Sequence, residues 1–196
     1  MHLVGIRPFG SEILRDLYVA ALYLLALSEC VILILSRRNS AGEKKSADRG
    51  SRAAIVCGFA AVGFVCSLGV FGYALPAACS LTGVVLLFLG IALRCWAVWT
   101  LRRFFTLSVQ TTGEQKLVRN GPYRLIRHPA YTGSILQLLG IALGIRSLPG
   151  LLCAAAVSAA VYGYRIRTEE TALRDCFGRA YEEYCANTWR LFPYLF

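Results

Sequence analysis

Two short polar segments contain the side chains that could hold a small charged molecule. The first is GPYRLIRHPAYTG at 121–133, which places His128 directly before a proline. Pro129 suits the first turn of a helix, where its missing N–H costs nothing, and it pushes His128 toward an extended conformation. His128 would then lie at a helix start, where free backbone N–H groups can bind an anion such as a carboxylate. The simpler alternative is that His128 caps the helix and that Tyr123 and Tyr131 are interfacial aromatic residues.

The second segment, RIRTEETALRDC at 165–176, carries charged residues at helical spacing. Arg165 and Glu169 are four residues apart and would share one helix face, as would Glu170 and Arg174. On a solvated surface, such pairs contribute only about 0.3–0.5 kcal/mol. At a membrane edge opposite the RHPAY residues, the carboxylates could instead bind an amine, and an arginine could hold a carboxylate through two hydrogen bonds.

The composition of the whole chain determines the setting of these segments. Of its residues, 57% are hydrophobic and 16% are charged, and the mean hydropathy is +0.55. An ordinary soluble domain has about 25% charged residues. Crossing a hydrocarbon core of about 30 Å takes about 20 apolar residues as a helix, because lipid cannot satisfy backbone polar groups. We therefore predict an all-α integral membrane protein.

Five apolar runs predict about five transmembrane helices. Three of them cover 17–35, 53–75 and 77–100. The first run has no clear small-residue cleavage site, so we expect it to stay as an anchor. The two shorter runs, 131–145 and 151–164, are separated by RSLPG and predict a helical hairpin. Flanking residues or local thinning of the bilayer would complete these two spans.

The basic residues predict the topology, since they favour the cytoplasmic side of short loops. Six Lys or Arg residues lie in 36–52, six in 101–130 and five from 165 onward, whereas three would lie outside. Five spans with the N-terminus outside and the C-terminus cytoplasmic satisfy every loop. The net charge of +10 then follows from topology and attraction to anionic lipid, so no nucleic acid partner is expected.

Other ionisable and metal-binding groups are few. The eight cysteines contain no CxxC motif, so we expect free thiols and no metal site. Glu29 and Arg94 fall inside apolar runs, where charge is costly and often functional. Each could pair within the helix bundle or extend to an interface, and we favour packing over catalysis.

Three stretches resemble the isoprenylcysteine carboxyl methyltransferase family, which is related to the membrane phospholipid methyltransferases. They are KLVRNGPYRLIRHPAYTG, RTEETALRDCFGRAYEEY and RLFP, all in the C-terminal half from about Phe104 onward. The order and spacing of two motifs around a helical hairpin make the family resemblance specific. It implies methyl transfer from S-adenosylmethionine held in a cytoplasmic C-terminal region. Residues 1–100 would be three transmembrane helices with a basic loop at 36–52, and 101–196 a catalytic region with a cofactor loop, the hairpin 131–164 and a C-terminal cytoplasmic helix.

The resemblance also implies roles for individual residues. Arg165, Glu169 and His128 form the expected catalytic set, with Arg165 orienting the acceptor and Glu169 binding the ammonium group of the cofactor. The start of the fourth helix would face the cofactor carboxylate. Relatives often have histidine at position 115, so backbone contacts are expected there. The implied cofactor contacts are Gln110, Gln115, Lys116, Leu117, Val118, Tyr123, His128, Pro129, Ala130, Tyr131, Glu169 and Glu170.

The identity of the methyl acceptor stays open at the level of sequence. A carboxylate is already ionised at neutral pH, whereas an ammonium or thiol must first lose a proton, which His128 or Glu170 could take. We favour a prenylcysteine-like or other lipophilic carboxylate that enters from the bilayer of a prokaryotic cytoplasmic membrane. A phospholipid amine or thiol methyltransferase is the alternative, followed by a non-catalytic lipid-binding or transport protein. The sequence does not specify the oligomeric state.

Overall fold

The computed structural model describes residues 9, 11–39, 51–68, 75–101 and 117–194. These residues are mostly helical, and their one β-type pairing is a single parallel bridge between Ile126 and Trp189. The all-α prediction is therefore confirmed. The elements are α1 (Glu12–Asn39), α2 (Ser51–Leu68), α3 (Ala78–Leu101), a 3₁₀ turn (Gly121–Arg124), α4 (Pro129–Gly144), α5 (Leu148–Val157), a π turn (Ser158–Tyr162), α6 (Gly163–Phe177) and α7 (Arg179–Ala186).

In the described part of the chain, three helical segments are long and apolar enough to cross a membrane, namely Glu12–Ser36, Ala78–Leu101 and Leu148–Phe177. A shorter apolar helix covers Ala54–Leu68. In the second predicted run, 53–75, the described helix ends at Leu68. The fifth predicted run, 151–164, extends well past its predicted end because the π turn connects α5 directly to α6. The predicted hairpin is present as α4 and α5, joined by a tight turn in which Arg146 has a positive φ of 61°. Five membrane crossings stay a prediction.

Contacts between helices define their relative directions. Gly83 of α3 meets Gly144 of α4, and Gly90 meets Gly133, so α3 and α4 are antiparallel. The phenol of Tyr18 on α1 donates a hydrogen bond to the carbonyl of Ile141 (2.9 Å) at the end of the bundle near Gly144.

The opposite end of the bundle carries the polar residues and is called the site end below. Glu29 of α1 meets Arg94 of α3 toward this end, so α1 and α3 are parallel. Cys66 of α2 lies against Gly150, whereas Gly58 faces Val157, so α2 and α5 are antiparallel. Among the described helices, α1 and α3 thus run in one direction and α4 in the other, while α2 and α5 run opposite to each other.

Glycines allow α3 and α4 to pack closely. A Cβ atom at Gly83 would lie 2.2 Å from the backbone nitrogen of Gly144, and one at Gly133 would lie 2.8 Å from the carbonyl oxygen of Gly90. Small residues at a membrane helix interface permit this approach, because packing rather than hydrophobic burial drives helix association in lipid. The close contact fixes the start of α4 relative to α3.

An ion pair inside the bundle links three helices. The Nε of Arg94 lies 2.5 Å from Oε1 of Glu29, and Nη2 lies 2.9 Å from Oε2. Nη1 of Arg94 also donates to the hydroxyl of Ser134 (2.5 Å) and to the carbonyl of Ala130 (3.3 Å) on α4. The sequence left open whether Glu29 and Arg94 pair within the bundle or extend to an interface, and the structure shows that they pair with each other. Through Ser134 and Ala130, the pair holds the first turns of α4 against α1 and α3.

Candidate active site

The loop before α4 begins with a 3₁₀ turn that packs on the end of α3. Gly121 has a φ of 57°, and a Cβ atom there would lie 2.8 Å from the hydroxyl of Thr100, so glycine suits this turn. The Tyr123 side chain is buried, and its carbonyl accepts a hydrogen bond from the phenol of Tyr184 (2.6 Å). Burial raises the pKa of Tyr123 well above its usual value, so its phenol stays protonated at neutral pH.

His128 occupies the position just before α4 but does not cap the helix with its side chain. Its φ of −123° is in the extended range, whereas its ψ of 56° falls short of the predicted extended conformation. Its side chain is 3% exposed. Its Nε2 lies 3.3 Å from Oε1 of Glu170, and Nδ1 lies 3.7 Å from Oε2 of Glu169. Its ring therefore faces two carboxylates from the second polar segment.

The first turn of α4 offers fewer free donors than the sequence suggested. Pro129 has no N–H, and the N–H groups of Tyr131 and Thr132 both return to the carbonyl of His128 at 3.0 Å. Within the described residues, the N–H of Ala130 is the donor of this turn that makes no backbone hydrogen bond. An anion at this helix start would meet one backbone donor together with the positive end of the helix dipole.

Tyr131 joins the two predicted polar segments. Its phenol donates a hydrogen bond to Oε2 of Glu169 (2.7 Å) and accepts one from Nε of Arg165 (3.1 Å). The guanidinium of Arg165 lies over the Tyr131 ring, 5.5 Å from its centroid, and the His128 ring stacks on that ring at a centroid distance of 5.5 Å. Arg165 is buried, whereas the Glu169 side chain is 32% exposed, so Glu169 presents the accessible carboxylate.

Glu170 lies in different surroundings from those of its neighbour Glu169. Its side chain is 3% exposed and is surrounded by basic groups. Arg190 donates to both carboxylate oxygens, at 3.1 and 3.0 Å, and Arg127 and Arg174 approach at 3.3 and 3.4 Å. The structure therefore places Glu170, which was expected to contact the cofactor, at the centre of a protein ion cluster.

Arg127 and Arg190 are the site residues that the sequence did not single out. Arg127 donates to the carbonyl oxygens of Cys185 (2.9 Å) and Thr188, in addition to its contact with Glu170. Arg190 belongs to the RLFP stretch that contributed to the family resemblance but received no role. Its position near the chain end gave no sign that it packs beside His128.

The remaining predicted contacts divide into two groups. Gln110, Gln115 and Lys116 lie outside the described residues. Leu117 and Val118 are half-buried, and Val118 packs with Ala97, Tyr123 and Ala130. Among the described residues, no group of three His, Cys, Asp or Glu side chains could hold a metal ion.

The described helices form a helical bundle of the membrane type whose polar residues gather at one end. A solved structure of the eukaryotic intramembrane Ras methyltransferase ICMT has the same fold, with a TM-score of 0.64 over 96% of this chain and 70% of that chain at 20% identity. The family profile described as phospholipid methyltransferase matches residues 78–180, which is more than half of the 196 residues. The chain belongs to this family.

Relatives of known sequence support the same assignment. A probable protein-S-isoprenylcysteine O-methyltransferase from Oryza sativa subsp. indica is 32% identical over 118 residues, covering 59% of this chain and 62% of the rice protein. Protein-S-isoprenylcysteine O-methyltransferase B from Arabidopsis thaliana is 34% identical over 104 residues, covering 52% of this chain and 53% of the relative. The chain thus spans less than two thirds of these relatives. The resemblance stated from the motifs is confirmed.

Proposed function

We propose that the protein is an integral membrane methyltransferase that uses S-adenosylmethionine to methylate the carboxylate of a lipophilic, prenylcysteine-like acceptor. The observation that carries the proposal is the arrangement around the Tyr131 phenol. On one side Arg165 supplies a buried cation, and on the other Glu169 supplies a partly exposed carboxylate. These are the two charges needed to hold an anionic acceptor and a cationic group of the cofactor.

The donor set at this site fits S-adenosylmethionine. When bound, the cofactor supplies a methyl group on a positively charged sulfur. Glu169, oriented by the Tyr131 phenol, would bind the amino group of the cofactor, because an ionised carboxylate forms strong hydrogen bonds with an ammonium. The N–H of Ala130 and the start of α4 would bind its carboxylate. The buried ring of Tyr123 would form part of the surrounding wall.

The site favours a carboxylate acceptor over an ammonium. An ammonium must lose a proton before it can attack, and the two candidate proton acceptors are His128 and Glu170. Both ring nitrogens of His128 face carboxylates, and Glu170 accepts hydrogen bonds from several arginines. Neither is placed to remove a proton from an acceptor, whereas a carboxylate needs no base. Arg165 would orient that carboxylate, so positioning supplies the catalysis.

Access to the site would follow from its place at one end of the bundle. The basic segments 36–52 and 101–130 both connect helices at this end, and basic loops favour the cytoplasm. We therefore assign the site end to the cytoplasmic face, with five crossings and the N-terminus outside. The cofactor would enter from the cytoplasm and the lipophilic acceptor sideways from the bilayer. Reporter fusions after residues 39 and 186 should both give cytoplasmic signals, and an external signal from either would contradict this topology.

The experiment uses purified protein, S-adenosylmethionine with a labelled methyl group, and a prenylcysteine analogue in mixed micelles. We expect label in the lipophilic product that base treatment releases as volatile methanol, since esters hydrolyse and N-methyl groups do not. Glu169→Ala should abolish saturable cofactor binding by calorimetry. Glu183→Ala, which removes an exposed carboxylate paired with Arg179 on α7, is the matched control and should bind normally. Unchanged binding by Glu169→Ala would contradict the assigned role.

A phospholipid amine is the second candidate acceptor, because the matching family profile is that of phospholipid methyltransferases. The same assay with phosphatidylethanolamine vesicles separates the two functions. Label that base treatment does not release as volatile methanol would favour the amine and overturn the carboxylate proposal. Lipid flux across liposomes without any methyl transfer would instead support a non-catalytic role.

A further inference from the structure

We propose that Arg190 is a positioning residue for His128, and that residues 188–191, the latch segment, complete the site. The proposal extends the proposed function by assigning a role to the C-terminal part of the chain. The state of the His128 ring can be measured directly, without any methyl transfer.

The latch segment is bonded to the site loop through the backbone. The N–H of Trp189 donates to the carbonyl of Leu125 (2.9 Å), and the N–H of Arg127 donates back to the carbonyl of Trp189 (2.7 Å). The N–H of His128 then donates to the carbonyl of Arg190 (3.2 Å). These bonds form a short parallel pairing that ends at His128, so the latch segment fixes the backbone of the residue before α4.

The next turn of α4 is held by the same segment. The hydroxyl of Thr132 donates to the carbonyl of Leu191 at 2.7 Å. This contact lies one turn beyond the bond between His128 and Arg190, so the latch segment spans the junction between the loop and α4. The N–H groups at a helix start have no partners within the helix, and the carbonyl of Arg190 accepts a hydrogen bond from one of them, that of His128.

The Arg190 side chain reaches the His128 ring by a second route. Its Nε and Nη2 bind the two oxygens of Glu170 at 3.1 and 3.0 Å, and Oε1 of Glu170 lies 3.3 Å from Nε2 of His128. A bidentate arginine fixes the plane of a carboxylate. The carboxylate in turn favours a proton on Nε2, because the partner of one ring nitrogen determines which tautomer is present.

The other arginines around Glu170 are poorer candidates for this role. Arg174 makes one contact of 3.4 Å, and its side chain is 48% exposed. Arg127 makes a single contact of 3.3 Å with Glu170 and uses its Nη1 for carbonyl groups of the C-terminal region. Arg190 therefore differs from both in combining a bidentate side-chain contact with a backbone bond to His128.

The test compares Arg190→Gln with Arg174→Gln, two variants that remove the same charge from the surroundings of Glu170. The chain has two histidines, so a His2→Gln background leaves His128 as the single imidazole for ¹⁵N NMR in detergent micelles. In Arg190→Gln we expect the ¹⁵N chemical shifts of the ring to change from those of one hydrogen-bonded tautomer toward the averaged shifts of an imidazole that exchanges between tautomers. In Arg174→Gln these chemical shifts should stay unchanged. Cofactor affinity should fall about tenfold in Arg190→Gln, the lower end of the loss found when residues that orient metal ligands are removed.

Arg190→Lys is the second variant, and it keeps the proposal testable if Arg190→Gln does not fold. It keeps the charge but loses the bidentate contact, so we expect a folded protein with a partial shift of the ring signals. Coincident ring signals for wild type, Arg190→Gln and Arg190→Lys would overturn the proposal whatever their activity. If the ring responds as expected but the wild type binds no S-adenosylmethionine, the proposed function fails while the positioning role stands.

Discussion

Removal of Glu29 should destabilise the protein more than removal of Arg94, although the two residues form one ion pair. Glu29→Leu leaves the Arg94 guanidinium without its counterion at a position that is 2% exposed. Arginine cannot give up its proton in a protein, so the charge stays buried. Breaking a buried pair in this way costs about 3–5 kcal/mol.

Arg94→Met is expected to cost less for two structural reasons. The Glu29 side chain is 31% exposed, whereas that of Arg94 is 3% exposed, so a carboxylate left alone is less completely desolvated than a guanidinium left alone. The carbonyl of Ala130 also keeps a hydrogen bond, since the hydroxyl of Ser134 donates to it at 3.1 Å. We therefore expect a loss of about 1–3 kcal/mol for Arg94→Met, the range for unsatisfied buried groups.

The double variant Glu29→Leu, Arg94→Met should recover most of the stability. Replacing a buried ion pair by apolar side chains of similar size is often neutral or stabilising. We expect the double variant to lie within about 1 kcal/mol of wild type, which requires a coupling energy of at least about 3 kcal/mol.

The assay is unfolding in mixed micelles by titration with a denaturing detergent, followed by tryptophan fluorescence. Trp96 and Trp99 lie on α3 close to the ion pair, so their emission reports on this region. Asp16→Leu, which removes an exposed ion pair with Arg15, is the control and should change stability by less than about 1 kcal/mol. An Arg94→Met loss that equals or exceeds the Glu29→Leu loss would refute the reasoning, as would additive losses in the double variant.

Three further predictions concern packing and polar contacts. Gly83→Ala should cost about 1–3 kcal/mol or more, because its Cβ would meet the backbone of Gly144, whereas Gly63→Ala has open space and should be neutral or stabilising in the same unfolding assay. Gln137→Leu should raise stability by about 1–3 kcal/mol, because neither atom of that buried amide has a hydrogen-bond partner in the described part of the chain; a loss would show that the amide is satisfied. Tyr131→Phe removes the hydroxyl between two charged groups and should weaken cofactor binding about tenfold by calorimetry, with unchanged affinity as the contradicting result.

The sequence predicted the fold class from its apolar runs, and it predicted that the two polar segments meet because its basic residues place both at one membrane face. Helical spacing placed Arg165 and Glu169 on one face, and Pro129 predicted a helix start beside His128. The same local information could not show that the backbone of Tyr131 returns its N–H to His128. It therefore overestimated the free donors at that helix start. Hydrogen bonds that depend on a specific ψ angle are not encoded in residue spacing alone.

The sequence did not predict the contact between Arg190 and Glu170 for a different reason. Arg190 and Glu170 are 20 residues apart, and their contact depends on the break between α6 and α7. Gly178 has a φ of 50° there, which allows the chain to change direction between the two helices. The sequence marks Gly178 as a possible helix end, but the direction of the following helix depends on tertiary packing.

The different roles of Glu169 and Glu170 follow from helix geometry and not from residue type. Adjacent residues on an α-helix point about 100° apart, so one carboxylate can meet Tyr131 at the open side while the next meets buried arginines. The π turn at Ser158–Tyr162 lies directly before this helix and adds one residue to a turn. Without that extra residue, every later side chain would rotate by about 100° about the helix axis. The π turn thus sets the rotation of α6 at which Glu169 meets Tyr131 and Glu170 meets Arg190.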